Sequence, residues 1–203
     1  MTARLPLWMF LWAGLTALVG SASAQAPAPA APKAKVKPLV TTVYLVRHAE
    51  KDTTGNPPDP ALSAVGQVRA LALRQTLLKR RPEALFTTDT KRTRATLAPL
   101  AEATKLEPQV YDGRRTYLLA ERIRKDYAGK SVVVVGHSNT VLPLIEELGG
   151  TPPVEEIADS EYDYLFTVRL TEGAMPTVDV RGYGPEGKAK AAGKTGTKTA
   201  GMR

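Results

Sequence analysis

The chain holds two histidines, His48 and His137, and no cysteine among its 203 residues. Each histidine closes a β-branched, apolar run. Thr41-Thr-Val-Tyr-Leu-Val46 leads into Arg47-His48, and Ser131-Val-Val-Val-Val135 leads into Gly136-His137-Ser138. Without thiols there is no thiolate zinc site, no disulfide and no cysteine nucleophile, and two imidazoles are too few for a His-rich metal centre. These residue types suit phosphoryl transfer. A neutral imidazole can attack phosphorus while guanidinium groups balance the charge on the equatorial oxygens. Arginine beside the imidazole disfavours imidazolium and keeps the nucleophile available near neutral pH. Arginine also grips phosphate bidentately, which lysine does less well. Further arginine comes from Thr87-Thr-Asp-Thr-Lys-Arg92-Thr-Arg94-Ala-Thr96. Arg92 and Arg94 lie two positions apart in the first turns of a helix and cannot share a face, so one can enter a pocket while the other meets solvent.

The elements that must position these groups follow from hydrophobic period and punctuation. Thr41–Val46 reads as a buried strand, and Asp52–Pro60 as a Pro/Gly/Asn/Asp loop. Ser63 is placed to cap a helix whose Val65, Val68, Leu71, Ala72, Gln75 and Leu78 follow helical spacing; Lys79-Arg80-Arg81 closes it and Pro82 stops it. Ala84–Thr87 is a short strand, Thr90 to about Ala103 a helix that Pro99 can bend, Gln109–Tyr111 a small strand and Thr116–Tyr127 a helix. Ser131–Val135 is the strongest strand. The helix Thr140–Leu148 then stops at Gly149-Gly150, and Tyr164–Leu170 and Thr177–Arg181 close the domain. Strands alternating with helices predict a three-layer α/β/α sandwich around a mostly parallel sheet. In such sheets ligands bind beyond the carboxyl ends of the strands, where both histidines fall.

The formal net charge of +8 belongs to the ends of the chain. Residues 1–37 carry four bases and no acid; residues 182–203 carry five bases and Glu186; the stretch between carries 19 of each sign. The first 24 residues have the pattern of an export signal: Arg4, an apolar stretch from Leu5 to Val19, and the small-residue site Ala22-Ser23-Ala24. That apolar stretch is shorter than the roughly 20 residues needed to cross a bilayer, which favours cleavage before Gln25 and no integral membrane domain afterwards. Residues 25–38 form an Ala/Pro/Lys linker, residues 39–182 the folded domain, and residues 183–203 a basic tail expected to be disordered. The expected location is periplasmic or extracellular. The tail suits weak contact with anionic envelope material. Its near lack of aromatic residues argues against nucleic acid.

Four segments, in order, resemble the histidine phosphatase superfamily, the phosphoglycerate mutase-like enzymes with an Arg-His-Gly signature. Val43-Tyr-Leu-Val-Arg47-His48-Ala49-Glu50 is similar to Arg-His-Gly-Glu, with Ala49 in place of Gly. Leu62-Ser-Ala-Val-Gly66-Gln-Val-Arg-Ala70 is similar to Leu-Thr-x-x-Gly-x-x-Gln-Ala, and Thr87–Thr96 to Ser-Ser-x-x-x-Arg-Ala-x-x-Thr. Val132–Ser138 supplies the fourth. The resemblance implies His48 as the nucleophile of a phosphohistidine intermediate, with Arg47, Arg92 and His137 binding the transferring group. It turns Arg92 inward and Arg94 outward. Ser138 and Asn139 join the substrate-binding set, since helix N-terminal amides favour anions; Asn139 also suits a plain helix cap. No cofactor or metal is implied.

The proton donor for the leaving oxygen is the point of departure. Mutase-like members carry a Glu where Tyr117 stands here, and no acid follows His137 directly. Asp112 is the favoured candidate and Glu121 the other. A branch without a strong acid, acting on good leaving groups such as phosphohistidine, is the third option.

Gly136-His137-Ser138-Asn139-Thr140 approaches the nucleophile elbow of an α/β-hydrolase, but Thr140 stands at its last Gly and no histidine follows Ser138. The expectation is therefore an exported, metal-independent phosphatase acting on small phosphomonoesters. A non-catalytic phosphate-binding protein and a phosphohistidine-protein phosphatase are the alternatives.

Overall fold

The computed structural model describes residues 38–184. The expected signal segment, nearly all of the linker and the tail from residue 185 lie outside the described residues. The elements, in chain order, are β1 (Val40–Arg47), α1 (Ala64–Leu78), β2 (Ala84–Thr87), α2 (Lys91–Thr104), β3 (Gln109–Val110), α3 (Thr116–Asp126), β4 (Ser131–Gly136), α4 (Ser138–Glu147), β5 (Tyr164–Thr171) and β6 (Thr177–Gly182).

The six strands form one sheet in the order β3-β2-β4-β1-β5-β6. β3, β2, β4 and β1 run parallel, whereas β5 joins β1 antiparallel and β6, at the edge, pairs antiparallel with β5. The apolar runs in β1 and β4 are continuous because both sheet faces are covered. Val43, Leu45, Val132 and Val134 pack on one face with Leu119, Ile123, Leu144 and Ile145 of α3 and α4. Tyr44, Val46, Val133 and Val135 alternate to the other face, against Leu73 and Leu77 of α1 and Leu97 and Leu100 of α2. This is the three-layer α/β/α sandwich that the sequence predicts.

Adjacency of β1 and β4 does most to build the site. Their parallel register ends with Arg47 beside Gly136, and the His48 N–H donates to the Gly136 carbonyl at 2.9 Å. From β1 the chain continues to the α1/α2 layer, and from β4 to the α3/α4 layer. The two exits diverge and leave a crevice between neighbouring strand ends.

Two glycines make this end of the sheet possible. A Cβ on Gly66 would lie 2.2 Å from the Glu50 carbonyl oxygen, so only glycine lets the start of α1 approach the loop after His48. A Cβ on Gly136 would meet the hydroxyls of Thr140 and Tyr111 at 2.6 and 2.7 Å.

The structure departs from the expected elements in four places. Within α1 the buried residues are Gly66, Arg69, Ala70, Leu73 and Leu77, while Val65, Val68, Leu71 and Leu78 face outward. This helix is apolar nearly all round, so periodicity fits either face, and the close approach at Gly66 selects the inner one. Lys79–Arg81 follow the helix instead of forming its last turn, with Arg81 at φ 50°. Helix α4 starts at Ser138 with His137 as its N-cap residue, which leaves Asn139 inside the first turn and not at the cap. The fold also runs past residue 182: Tyr183 is buried in the α1/α2 core, and its N–H donates to the Asp163 carbonyl.

Candidate active site

His48 emerges from β1 almost fully buried, with Nδ1 2.7 Å from the Ala49 carbonyl oxygen. A carbonyl only accepts, so Nδ1 carries the proton and Nε2 keeps the lone pair. Burial, partly offset by that backbone hydrogen bond, and then the charges of Arg47 and Arg92 push the ring's pKa down to about 3. His48 is thus a neutral, oriented imidazole across the physiological range. The loop behind it is fixed from α2: the Ala49 N–H donates to the Thr96 hydroxyl at 2.9 Å, and that hydroxyl donates to the Arg92 carbonyl.

His137 stands edge-on to His48, ring centroids 5.4 Å apart and planes at 65°. Its pKa is lowered to about 4, by burial and then by Arg92 and Arg47. Arg92 Nη2 approaches Nδ1 at 3.4 Å, and Nε2 lies 2.8 Å from the Thr88 hydroxyl. Guanidinium only donates, so Nδ1 accepts and the Nε2 proton goes to Thr88. Thr88 passes its own proton to Thr93, which anchors the chain of hydroxyls to the start of α2.

Arg47 is buried beneath the segment before β5. Nη1 donates to the carbonyls of Ala158, Asp159 and Glu161 at 2.7, 3.2 and 3.3 Å, and its guanidinium carbon lies 4.4 Å from the Tyr162 ring centroid. Tyr162 also approaches the His48 ring, 5.9 Å between centroids. Arg92 Nη1 pairs at 3.4 Å with Asp59, whose carboxylate accepts the Lys91 N–H and so fixes the first turn of α2. Arg94 turns outward to Asp89 at 2.7 Å. After these contacts, Arg47 Nε and Arg92 Nε remain buried without a partner. Buried N–H donors are nearly always satisfied, and two on neighbouring arginines beside a lone-pair nitrogen make a receptor for an anion.

A cleft of 610 Å³ runs along His137, lined by Thr88, Thr90, Tyr111, Asp112, Arg114 and Asn139 among others. Ser138 faces an adjoining groove with Asn139, Glu156 and Ile157. Asp112 therefore stands at the cleft but in the wrong charge state for a proton donor. It accepts the Arg114 N–H at 2.9 Å and pairs with Arg115 at 2.8 Å, and these bonds hold its carboxyl below the usual carboxylate range. Glu121 lies on the exposed side of α3 and does not line the cleft.

Residues 43–115 match the family model of the histidine phosphatase superfamily, branch 1. The matched stretch runs from β1 to the start of α3 and holds Arg47, His48 and Arg92. Among solved structures, a mycobacterial glucosyl-3-phosphoglycerate phosphatase superposes with a TM-score of 0.57 at 18% identity, covering 70% of this chain and 98% of that one. Mycobacterial hydrolase 1 matches with a TM-score of 0.57 at 17% identity, over 72% and 100%. The protein histidine phosphatase SixA, solved with tungstate, matches with a TM-score of 0.54 at 20% identity, over 68% and 94%. At these identities the likeness is one of fold. A comparison with curated protein sequences finds no match.

The structure thus brings His48, Arg47, Arg92 and His137 to one crevice and places Asp112 and Asn139 on its open side. Sequence reasoning missed Asp59, Thr88, Thr96 and Tyr162. Thr88 and Thr96 lie inside the segment that carried Arg92, so their signal was present but unread. Asp59 and Tyr162 sit in irregular chain, where no period singles them out.

Proposed function

We propose that the protein is an exported, metal-independent phosphomonoester hydrolase that forms a phosphohistidine on His48. The observation that carries this reading is the pair of unpartnered, buried Nε donors of Arg47 and Arg92 beside a histidine whose only free lone pair is on Nε2. In the first step the Nε2–phosphorus bond forms and the ester phosphorus–oxygen bond breaks, the leaving oxygen departing with the bond pair. In the second, a water oxygen bonds to phosphorus and Nε2 regains its lone pair, releasing inorganic phosphate. The two arginines balance the charge of the equatorial oxygens, the task a metal ion would otherwise perform. Arriving phosphate dianion raises the pKa of His137, so its imidazolium form becomes available to donate to the transferring group. Export is supported by Arg4, the apolar stretch to Val19 and Ala22-Ser23-Ala24.

The state of Asp112 favours a second reading for the substrate. With the Asp112 carboxylate held ionised, the cleft suits a leaving group that needs no proton. A phosphohistidine whose other ring nitrogen is protonated leaves as neutral imidazole. A phosphohistidine-protein phosphatase is therefore the alternative within the same mechanism.

The test is turnover of p-nitrophenyl phosphate, an alkyl phosphate and phosphohistidine, with ³²P trapping by wild type and His48→Ala. The expected result is an acid-labile, base-stable label on wild type alone. Aryl and alkyl turnover together support the ester hydrolase; turnover confined to phosphohistidine supports the second reading. Turnover persisting in His48→Ala overturns the mechanism, and phosphate binding without any turnover makes the protein a binding module.

A further inference from the structure

Helix α1 carries its second apolar face where a soluble domain ordinarily places charge. Val65, Val68, Leu71 and Leu78 are 56, 51, 47 and 38% exposed outside the buried stripe of Leu73 and Leu77, with the uncharged Gln67 and Gln75 exposed among them. In its 15 residues there is no Asp, Glu or Lys, and of its two arginines Arg69 is buried. At about 1.5 Å per residue and about 10 Å across, this face is roughly 22 by 10 Å. That is well short of the roughly 800 Å² per partner that a stable protein interface buries. Its surroundings are basic. Lys79, Arg80 and Arg81 lie exposed directly after the helix, and Arg74 is exposed within it.

The chain's exit adds to this charge. Arg69 of α1 donates to the Tyr183 carbonyl at 2.9 Å, and a Cβ on Gly184 would sit 2.4 Å from the same guanidinium. Gly184, the last described residue, thus lies beside α1, and the sequence after it carries five bases against Glu186. An apolar helix face flanked by bases on one chain segment, and joined by a basic extension, is the pattern of an interfacial helix. Aliphatic side chains enter the acyl boundary while Lys and Arg meet the headgroups. An anionic polysaccharide would use the bases and leave the four aliphatic side chains in water. We infer that the outward face of α1 docks the domain on an anionic phospholipid surface, with Lys79, Arg80 and Arg81 at the headgroups.

The absence of cysteine makes a site-specific test direct. The full chain carrying Leu71→Cys or, as a control, Glu121→Cys is labelled with an environment-sensitive fluorophore. It is then mixed with vesicles of phosphatidylcholine alone or with phosphatidylglycerol added. Leu71→Cys is expected to blue-shift and brighten severalfold on the anionic vesicles only, with Glu121→Cys unchanged. Lys79→Gln/Arg80→Gln/Arg81→Gln should weaken the partitioning at least tenfold and leave p-nitrophenyl phosphate turnover as in wild type. Vesicle binding with no change at position 71 overturns the proposal, because the terminal segments then carry the contact. A position-71 change without lipid that grows with protein concentration also overturns it and makes α1 a self-association face.

Discussion

The depressed pKa of His48 makes acid sensitivity of folding a direct readout of the nucleophile's environment. In the unfolded chain this imidazole titrates near 6.5, and in the fold near 3. Between those values the unfolded state binds the extra proton, so stability rises with pH there and is lost as pH falls. The slope is about 1.4 kcal/mol per pH unit per histidine, and integrating from about pH 7 to pH 4 gives about 3 kcal/mol for His48 alone. His137, lowered for the same cause, adds in the same direction.

The perturbation is His48→Gln, which keeps a polar side chain at the site and removes the titration. Urea unfolding of both proteins across that pH range is the assay. Carboxylates shared by the two cancel in the difference. The variant is expected to gain on wild type by about 3 kcal/mol on going from pH 7 to pH 4, whatever its offset at neutral pH. Parallel stability–pH curves would refute the reasoning, because they require His48 to titrate alike in both states. Ring-proton NMR gives a second reading: the His48 resonance should stay on its neutral shift until well below pH 5.

Two further outcomes follow from named contacts. Arg69→Met breaks the ion pair in which Arg69 Nη2 lies 2.6 Å from Glu50, and strands a largely buried carboxylate, so it should cost about 3 kcal/mol in urea unfolding. Adding Glu50→Gln should restore part of that loss, whereas strict additivity would show the pair to be uncoupled. Asp112→Asn should leave the ratio of alkyl phosphate to p-nitrophenyl phosphate turnover within about threefold of wild type, since a carboxyl already ionised supplies no proton; a loss of about a hundredfold on the alkyl ester alone makes it the acid after all.

The central sheet was legible because its physics is local. The unbroken Val/Thr/Leu runs in β1 and β4 record burial on both faces, and the residues that end them point to the crevice. The Gly66 and Gly136 positions were legible as motif members, and the structure supplies the reason: each admits a neighbouring group inside the reach of a Cβ. The facing of α1 was not legible. With apolar residues on both sides, its orientation depends on Glu50, reached only through the tertiary fold. The same holds for the Asp59–Arg92 and Arg47–Tyr162 contacts, in which a helix or strand residue meets irregular chain 33 and 115 positions away. The proton donor was not legible for another reason. Asp112 lines the cleft with His137, but its charge state is set by Arg114 and Arg115, which the sequence displays without showing where their donors point.

The same burial acts oppositely on the two kinds of base at the site. Guanidinium cannot lose its proton in a protein, so sinking Arg47 and Arg92 under the strand ends concentrates fixed positive charge in a domain whose residues 38–181 carry equal numbers of both signs. Imidazole can lose its proton, and the same desolvation, reinforced by those arginines, strips it from His48 and His137. One environment therefore yields permanent cations and neutral imidazoles side by side. Replacing Arg47 by Lys would keep the charge and weaken both effects, because an ammonium buried at that site would tend to deprotonate. It would also lose the planar fork whose Nη1 meets the Ala158 carbonyl while Nη2 pairs with the Asp159 carboxylate at 3.2 Å. The nucleophile and the anion receptor are thus parts of a single electrostatic arrangement, built where β1 and β4 end together.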